Sequence, residues 1–354
     1  MNLKQVKHNY YIFKLPLGER NSKLKAERWN TLKKRCKKIK QRLVTRALKK
    51  ENTVIMGKDK EVTSINKQRL QKLCLELDKQ VATQIKDYDI VDNILKDILK
   101  LLDNQKEADL HIMRQLKFIP ILMEVCKRVS VCHKNEQDAL LRALDSAIKI
   151  LAKFCGLIDN RTYMIVTNRL VPLIDLLIWC LNRPTKFVYS LTFVPHLFTI
   201  LGRHLNHRLH LENEGYKEDI IEYVFCSGLI VKLQQKFMSF NGGLDLTTSM
   251  GKVPLALLKS VSFLESLTSV VDVEFNTERS IFDAPNVSEN IIIALKETEF
   301  IGMFSLLASL LLSDASYIKQ PAKVLPQTVL SVAMTTIKFF NNVARIMLEA
   351  FQVF

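Results

Sequence analysis

From residue 65 onward, apolar side chains recur at three- and four-residue steps almost without pause, and only ten Gly and nine Pro punctuate the whole 354 residues. That combination leaves too few turn residues for a many-stranded sandwich or a doubly wound sheet, but enough to separate helices. The expected class is all-α. Helices are expected over about 66–83, 89–103, 106–129, 136–155, 161–182, 186–206, 217–239, 252–271, 288–313 and 325–354. The breaks fall at Asn182-Arg183-Pro184, Asn241-Gly242-Gly243, 283–288 and Gln320-Pro321.

A weak internal repeat runs through this region. Lys117-Phe118-Ile119-Pro120-Ile121-Leu122, Arg169-Leu170-Val171-Pro172-Leu173-Ile174, Gly228-Leu229-Ile230-Val231-Lys232-Leu233 and Glu299-Phe300-Ile301-Gly302-Met303-Phe304 share two apolar residues, then a small or kinking position, then a leucine-rich run. Each precedes a second apolar helix, over 139–155, 187–205, 255–271 and 327–346. Helices apolar on two faces are soluble only when stacked, one face inside the pair and the other against the next pair. The expectation is an irregular armadillo/HEAT-like α-solenoid, with a globular helical bundle as the alternative. The spacing between repeats, 52, 59 and 71 residues, is wider than the roughly 40–47 of armadillo and HEAT units.

Charge divides the chain. Of the net +16, residues 1–60 carry 19 Lys and Arg against four acids, whereas the remaining 33 bases and 32 acids nearly cancel. The expected organisation is therefore a basic arm and helix over 1–60 and a helical repeat domain over 61–354. Leu32, Cys36, Ile39, Leu43 and Ala47 mark a narrow apolar stripe on a helix from about Ser22 to Glu51, followed by a flexible linker near 52–64. The rest of that helix bears Lys33, Lys34, Arg35, Lys37, Lys38, Lys40, Arg42, Arg46, Lys49 and Lys50, with no acid among them. Like charges at i,i+4 repel, and a polyanion would relieve that repulsion while releasing its own counterions. These ten bases are the candidate RNA-binding residues. The partner is RNA, DNA or an acidic membrane surface. Trp29 is the sole aromatic on the helix, so phosphate contact rather than base stacking is expected, and the stripe is narrow and without Phe for a membrane-lying helix.

No catalytic activity, cofactor or metal is expected. The dinucleotide-binding, Walker, HExxH and Gly-x-Ser-x-Gly patterns are missing. His204, His207 and His210 stand three apart, but no nearby Cys or acidic cluster completes a ligand set, Arg203 and Arg208 would repel a cation, and they read as the basic, exposed end of a helix. Cys126 and Cys132-His133 are too widely spaced for a zinc knuckle, and the seven scattered cysteines point to a reducing compartment. Asp87 and Asp89, like Glu297 and Glu299, sit where helix starts are expected and where carboxylates offset the helix dipole. The longest uncharged runs, 187–202 and 300–313, are too short to span a bilayer, so no transmembrane helix is expected.

The chain resembles the C-terminal helical part of the family of S phase cyclin A-associated proteins of the endoplasmic reticulum. The resemblance lies in Leu32-Lys33-Lys34-Arg35-Cys36-Lys37-Lys38-Ile39-Lys40; Leu70-Gln71-Lys72-Leu73 with Lys79-Gln80-Val81; Gly228-Leu229-Ile230-Val231-Lys232-Leu233; Ser280-Ile281-Phe282-Asp283 with Ala294-Leu295; and Phe339-Phe340-Asn341 with Ala350-Phe351-Gln352. These blocks keep the family's order from about Leu32 to the last residue. The resemblance implies a cytoplasmic scaffold peripherally associated with the endoplasmic reticulum, with cyclin A as a partner. It also implies a ribosome-linked role that brings a deadenylase complex to selected messages through a tetratricopeptide-repeat adaptor. The family's zinc finger and its cyclin-associated N-terminal region have no counterpart here, which weakens the cyclin expectation. The apolar end at Ala350-Phe351-Gln352-Val353-Phe354 lacks a capping helix, so a C-terminally truncated repeat domain is expected.

Overall fold

The computed structural model describes residues 22–55, 66–82, 87–103, 107–128, 137–207, 209 and 214–240, with 256, 259, 260, 262–264, 266 and 267 beyond them. Among the described residues the protein is helical and has no strand. The helices are α1 (Ser22–Ile55), α2 (Lys67–Ala82), α3 (Tyr88–Leu102), α4 (Glu107–Gln115), α5 (Phe118–Lys127), α6 (Gln137–Phe154), α7 (Ile158–Val166), α8 (Leu170–Leu181), α9 (Thr185–Ser190), α10 (Val194–Leu205), α11 (Glu214–Cys226) and α12 (Leu229–Phe240). The helices expected over 288–313 and 325–354, the fourth repeat segment, Cys132-His133 and His210 lie outside the described residues.

Helix α3 illustrates how local sequence sets an element. Asp87 caps it, its Oδ1 accepting from the backbone N–H groups of Asp89 at 2.8 Å and Ile90 at 3.4 Å, and so satisfies donors that have no intrahelical partner. Val91, Ile94, Leu95, Ile98 and Leu102 then repeat at helical spacing and are buried. They face α6, whose Leu140, Ala143, Leu144, Ala147, Ile148, Leu151 and Phe154 are buried too. Among the described helices the α3–α6 contact is the most extensive. Polar links cross it as well: Ser146 Oγ donates to Asp92 at 2.6 Å, with Lys96 Nζ 2.7 Å from the same carboxylate, and Arg142 Nη2 donates to Asp89 at 2.7 Å.

Three of the long helices read from sequence are each two helices. The expected 106–129 breaks at Lys117 (φ 54°), 161–182 at Asn168 (φ 56°), and 217–239 at Gly228 (φ 83°), all left-handed positions that end one helix before the next begins. The expected 186–206 likewise divides into α9 and α10. Pro120, Pro172 and Pro195 do not kink these helices. They sit in the first turns of α5, α8 and α10, where a missing N–H costs no helical hydrogen bond. The first three repeat segments found in the sequence are therefore helix starts.

Packing follows a regular pattern. Helix α5 packs on α2 and α8, and α8 on α12; α6 packs on α3 and α10; α7 packs on α11. The described residues beyond 255 continue it, with Phe263 against Phe198 of α10 (ring centroids 5.9 Å apart) and Asn206 Nδ2 donating to Ser266 Oγ at 3.0 Å. A single core joins all of these elements, from Ile39 and Leu43 of α1 to Leu267.

Among the described residues, no single helix is long and apolar enough to cross a membrane. Helices α7 and α8 are apolar enough together, but they meet at 82° and most of their side chains lie in the core.

Candidate nucleic-acid interface

Helix α1 runs through Ile55, four residues into the expected linker. Its apolar stripe is real and committed to the interior: Ile39, Leu43 and Ala47 are buried, and Leu32 and Cys36 are half-buried against the same core. The stripe packs on α11 and α7. Each of Ile39 and Leu43 contributes about 1.5–3 kcal/mol by leaving water, enough to hold the helix to the body.

The ten bases do not form one face. Arg35, Arg42 and Arg46, spaced seven and four apart, flank one edge of the stripe, and Lys40 flanks the other. Arg35 Nε donates to Glu222, and Arg42 bridges Asp219 and Glu222, with Nη2 2.9 Å from Glu222 Oε2. Arg46 Nη1 donates to Asp219 Oδ2 at 2.5 Å and to the Gly215 carbonyl at 3.0 Å, and its guanidinium lies 5.6 Å from the Tyr216 ring centroid. Lys40 Nζ is 2.6 Å from Asp175 Oδ2, whose other oxygen accepts from the Tyr223 hydroxyl at 2.5 Å. The expectation that all ten bases await an external polyanion is corrected for these four: acids of α8 and α11 already neutralise them.

Asp219 is buried, and burial pushes its carboxyl above the usual range while the Arg42 and Arg46 guanidiniums pull it back. Desolvation offsets much of the attraction here, so the clamp fixes where α1 sits more than it adds stability. Tyr223 is raised as well, by burial first and then by Asp175. Cys36 and Cys226 beside it are also raised by burial, Cys226 to about 11, so these thiols are poor nucleophiles.

The opposite side of α1 is solvent. Lys34, Lys37, Lys38 and Lys49 are exposed, and among the described residues no carboxylate pairs with them. Lys33 is exposed and Lys50 half-buried at the margins of the docked surface. Lys34, Lys37 and Lys38 cluster within about one turn. Further along the same outer side, Val44 is 45% and Leu48 63% exposed.

Sequence reasoning missed Asp175, Asp219, Glu222, Tyr216 and Tyr223. The signal was there in α11, where Tyr216, Asp219, Glu222, Tyr223 and Cys226 recur at three- and four-residue steps. A net charge summed over the whole body averaged that acidic stripe away.

The histidine motif is corrected too. His204 and His207 are 1% and 6% exposed, not at an exposed helix end. His204 Nδ1 donates to the Ile200 carbonyl at 2.6 Å, and His207 Nε2 lies 2.8 Å from Thr162 Oγ1. Burial lowers both imidazoles, His204 to about 4. Among the described residues no group of three His, Cys, Asp or Glu could hold a metal ion.

No family model matches the chain. It is similar to a human protein named S phase cyclin A-associated protein in the endoplasmic reticulum, at 24% identity over 90% of the chain. The chain spans about a quarter of that relative's length, 26%.

Proposed function

We propose that the protein is a non-enzymatic adaptor in which a stack of three-helix, armadillo-like units carries a docked basic helix, and that this helix binds RNA, such as that of ribosomes, through phosphate contacts. The stack is supported by the contacts between equivalent helices: α5, α8 and α12 in one series, α3, α6 and α10 in a second, α7 and α11 in a third. The single observation that carries the RNA reading is the exposed group Lys34, Lys37 and Lys38 with Lys49, which among the described residues has no acidic partner, on a helix where Arg35, Lys40, Arg42 and Arg46 are satisfied internally. Unneutralised charge on a held scaffold is what a phosphate backbone rewards through counterion release. The body, with its long exposed helix surfaces, holds protein partners. By similarity to the human relative, those partners include cyclin A and the location is the endoplasmic reticulum; by the family resemblance they include a deadenylase complex and its tetratricopeptide-repeat adaptor.

Changing Lys34, Lys37, Lys38 and Lys49 to Glu is expected to abolish co-sedimentation of the full chain with ribosomes at physiological salt, with the helical circular dichroism unchanged. Arg42 is left out of this set because its reversal would break the α1 clamp. Undiminished sedimentation of the folded variant would sink the proposal.

Val44 and Leu48 favour a second reading, an anionic membrane surface. Two exposed apolar side chains beside lysines give a shallow anchor. Binding to phosphatidylserine vesicles, with no binding to RNA, would select it.

A further inference from the structure

The RNA reading leaves open what form of nucleic acid the lysines meet, and the docking of α1 narrows it. A free α-helix, about 10–12 Å across, can enter a major groove and touch bases from several sides. Helix α1 cannot, because the side bearing Ile39, Leu43 and Ala47 is pressed against α11 and α7, and Arg35, Lys40, Arg42 and Arg46 are bound to Asp175, Asp219 and Glu222. What it offers is one outward face.

That face has no aromatic side chain between Asn30 and Lys50. The nearby rings are not platforms either. Tyr223 is buried with Lys40 over it, and Tyr216 lies beneath Arg46. Tight binding of flexible single strands draws on bases stacked on exposed aromatic rings, and among the described residues this surface has none to give. From Lys34 to Lys49 the face extends for about 22 Å at 1.5 Å per residue. Lysines fixed at two points along a docked helix, Lys34 to Lys38 and Lys49, match the fixed phosphate positions of a rigid duplex without reordering it, whereas a flexible strand would have to be ordered to reach both.

We infer, building on the RNA reading above, that the ligand of α1 is the phosphate backbone of a double-helical nucleic acid, held by the outer lysines alone while α1 stays clamped to the body. Three to four phosphates are engaged, not ten. Binding is therefore insensitive to base sequence and only moderately sensitive to salt.

The test is fluorescence anisotropy with the full chain and three labelled probes of equal length, an RNA duplex, a DNA duplex and an unstructured single-stranded RNA, each across a salt series. The expected result is a preference for duplex, with log K falling against log salt at a slope of about −3 to −4. The two duplex arms tell whether RNA or DNA is the source of the backbone. Changing Lys40 to Gln, which leaves the arginine clamp on Asp219 and Glu222 intact, is expected to leave that slope unaltered, since Lys40 is held by Asp175 and does not touch phosphate. A slope near −9 would show all ten bases engaged and α1 lifted from the body, and equal or tighter binding of the single strand would show a stacking mode; either overturns the inference while the RNA reading stands. Absence of binding to every probe overturns both.

Discussion

The two sides of α1 carry four bases each, and those bases meet opposite fates. On the inner side, Arg35, Lys40, Arg42 and Arg46 are matched by Asp175, Asp219 and Glu222; on the outer side, Lys34, Lys37, Lys38 and Lys49 are matched by nothing the described part of the chain supplies. A run of bases in a sequence is therefore not one site. Position around the helix, relative to the apolar stripe, decides which charges are structural and which remain for a partner. The choice of residue follows this division. Three of the four inner bases are arginines, whose planar fork suits carboxylates, and the outer four are all lysines, compact point charges suited to a less directional phosphate contact.

The sharpest way to break the contrast is to undock the helix. Leu43→Ala removes a fully buried side chain from the stripe, and a loss of about 2–5 kcal/mol in urea unfolding is expected. A loss under about 0.5 kcal/mol would mean that α1 is not anchored through this stripe.

Charge without an ionic partner is costly inside the body, and His204 measures how costly. Its folded pKa, about 4, lies below the unfolded value near 6.5, so below pH 6.5 the unfolded chain binds the proton that the folded one declines. Stability is complete above pH 6.5 and falls as pH drops towards 4, by about 3 kcal/mol for this group. Replacing His204 with Gln should flatten that part of the pH profile, and an unchanged slope would rule this group out as its source.

Smaller is the expected cost of Asp219→Ala, about 1–2 kcal/mol, because Arg42 and Arg46 are 46% and 40% exposed and regain water. A double-mutant cycle with Arg46→Met isolates the pair, and a coupling energy of zero would reduce the clamp to incidental surface contacts. Smallest is the effect of the outer lysine-to-glutamate set on stability, within about 0.5 kcal/mol of neutral, since these side chains are solvated. A large shift in its melting temperature would show that the outer face is not free.

Much of the helical content was legible in the sequence, because the period of Val91, Ile94, Leu95 and Ile98 or of Leu32, Cys36, Ile39 and Leu43 survives into the core unchanged. The helix breaks were not. Lys117 and Asn168 adopt left-handed conformations that nothing in their residue type announces as strongly as Gly228 does, and apolar periodicity runs straight across them. Proline was misleading for a related reason: it was read as a kink, although the first turn of a new helix tolerates it equally well. The candidate interface was half legible. Composition located the ten bases, and the stripe oriented the helix, but which bases stay available depended on α8 and α11 arriving from far along the chain. The burial of His204 and His207 was hidden similarly, since α10 is sheltered by neighbours distant in sequence.

That distance matters for how the molecule is made. Arg35 and Glu222 are 187 residues apart, so a ribosome adding about 5–20 residues per second releases the basic helix roughly ten to forty seconds before its acidic counterpart emerges. Until α11 emerges, Arg35, Arg42 and Arg46 have no Asp219 or Glu222 to bind, and the nascent segment presents them beside the RNA of the ribosome. Only when α11 folds against it is the inner half withdrawn from competition.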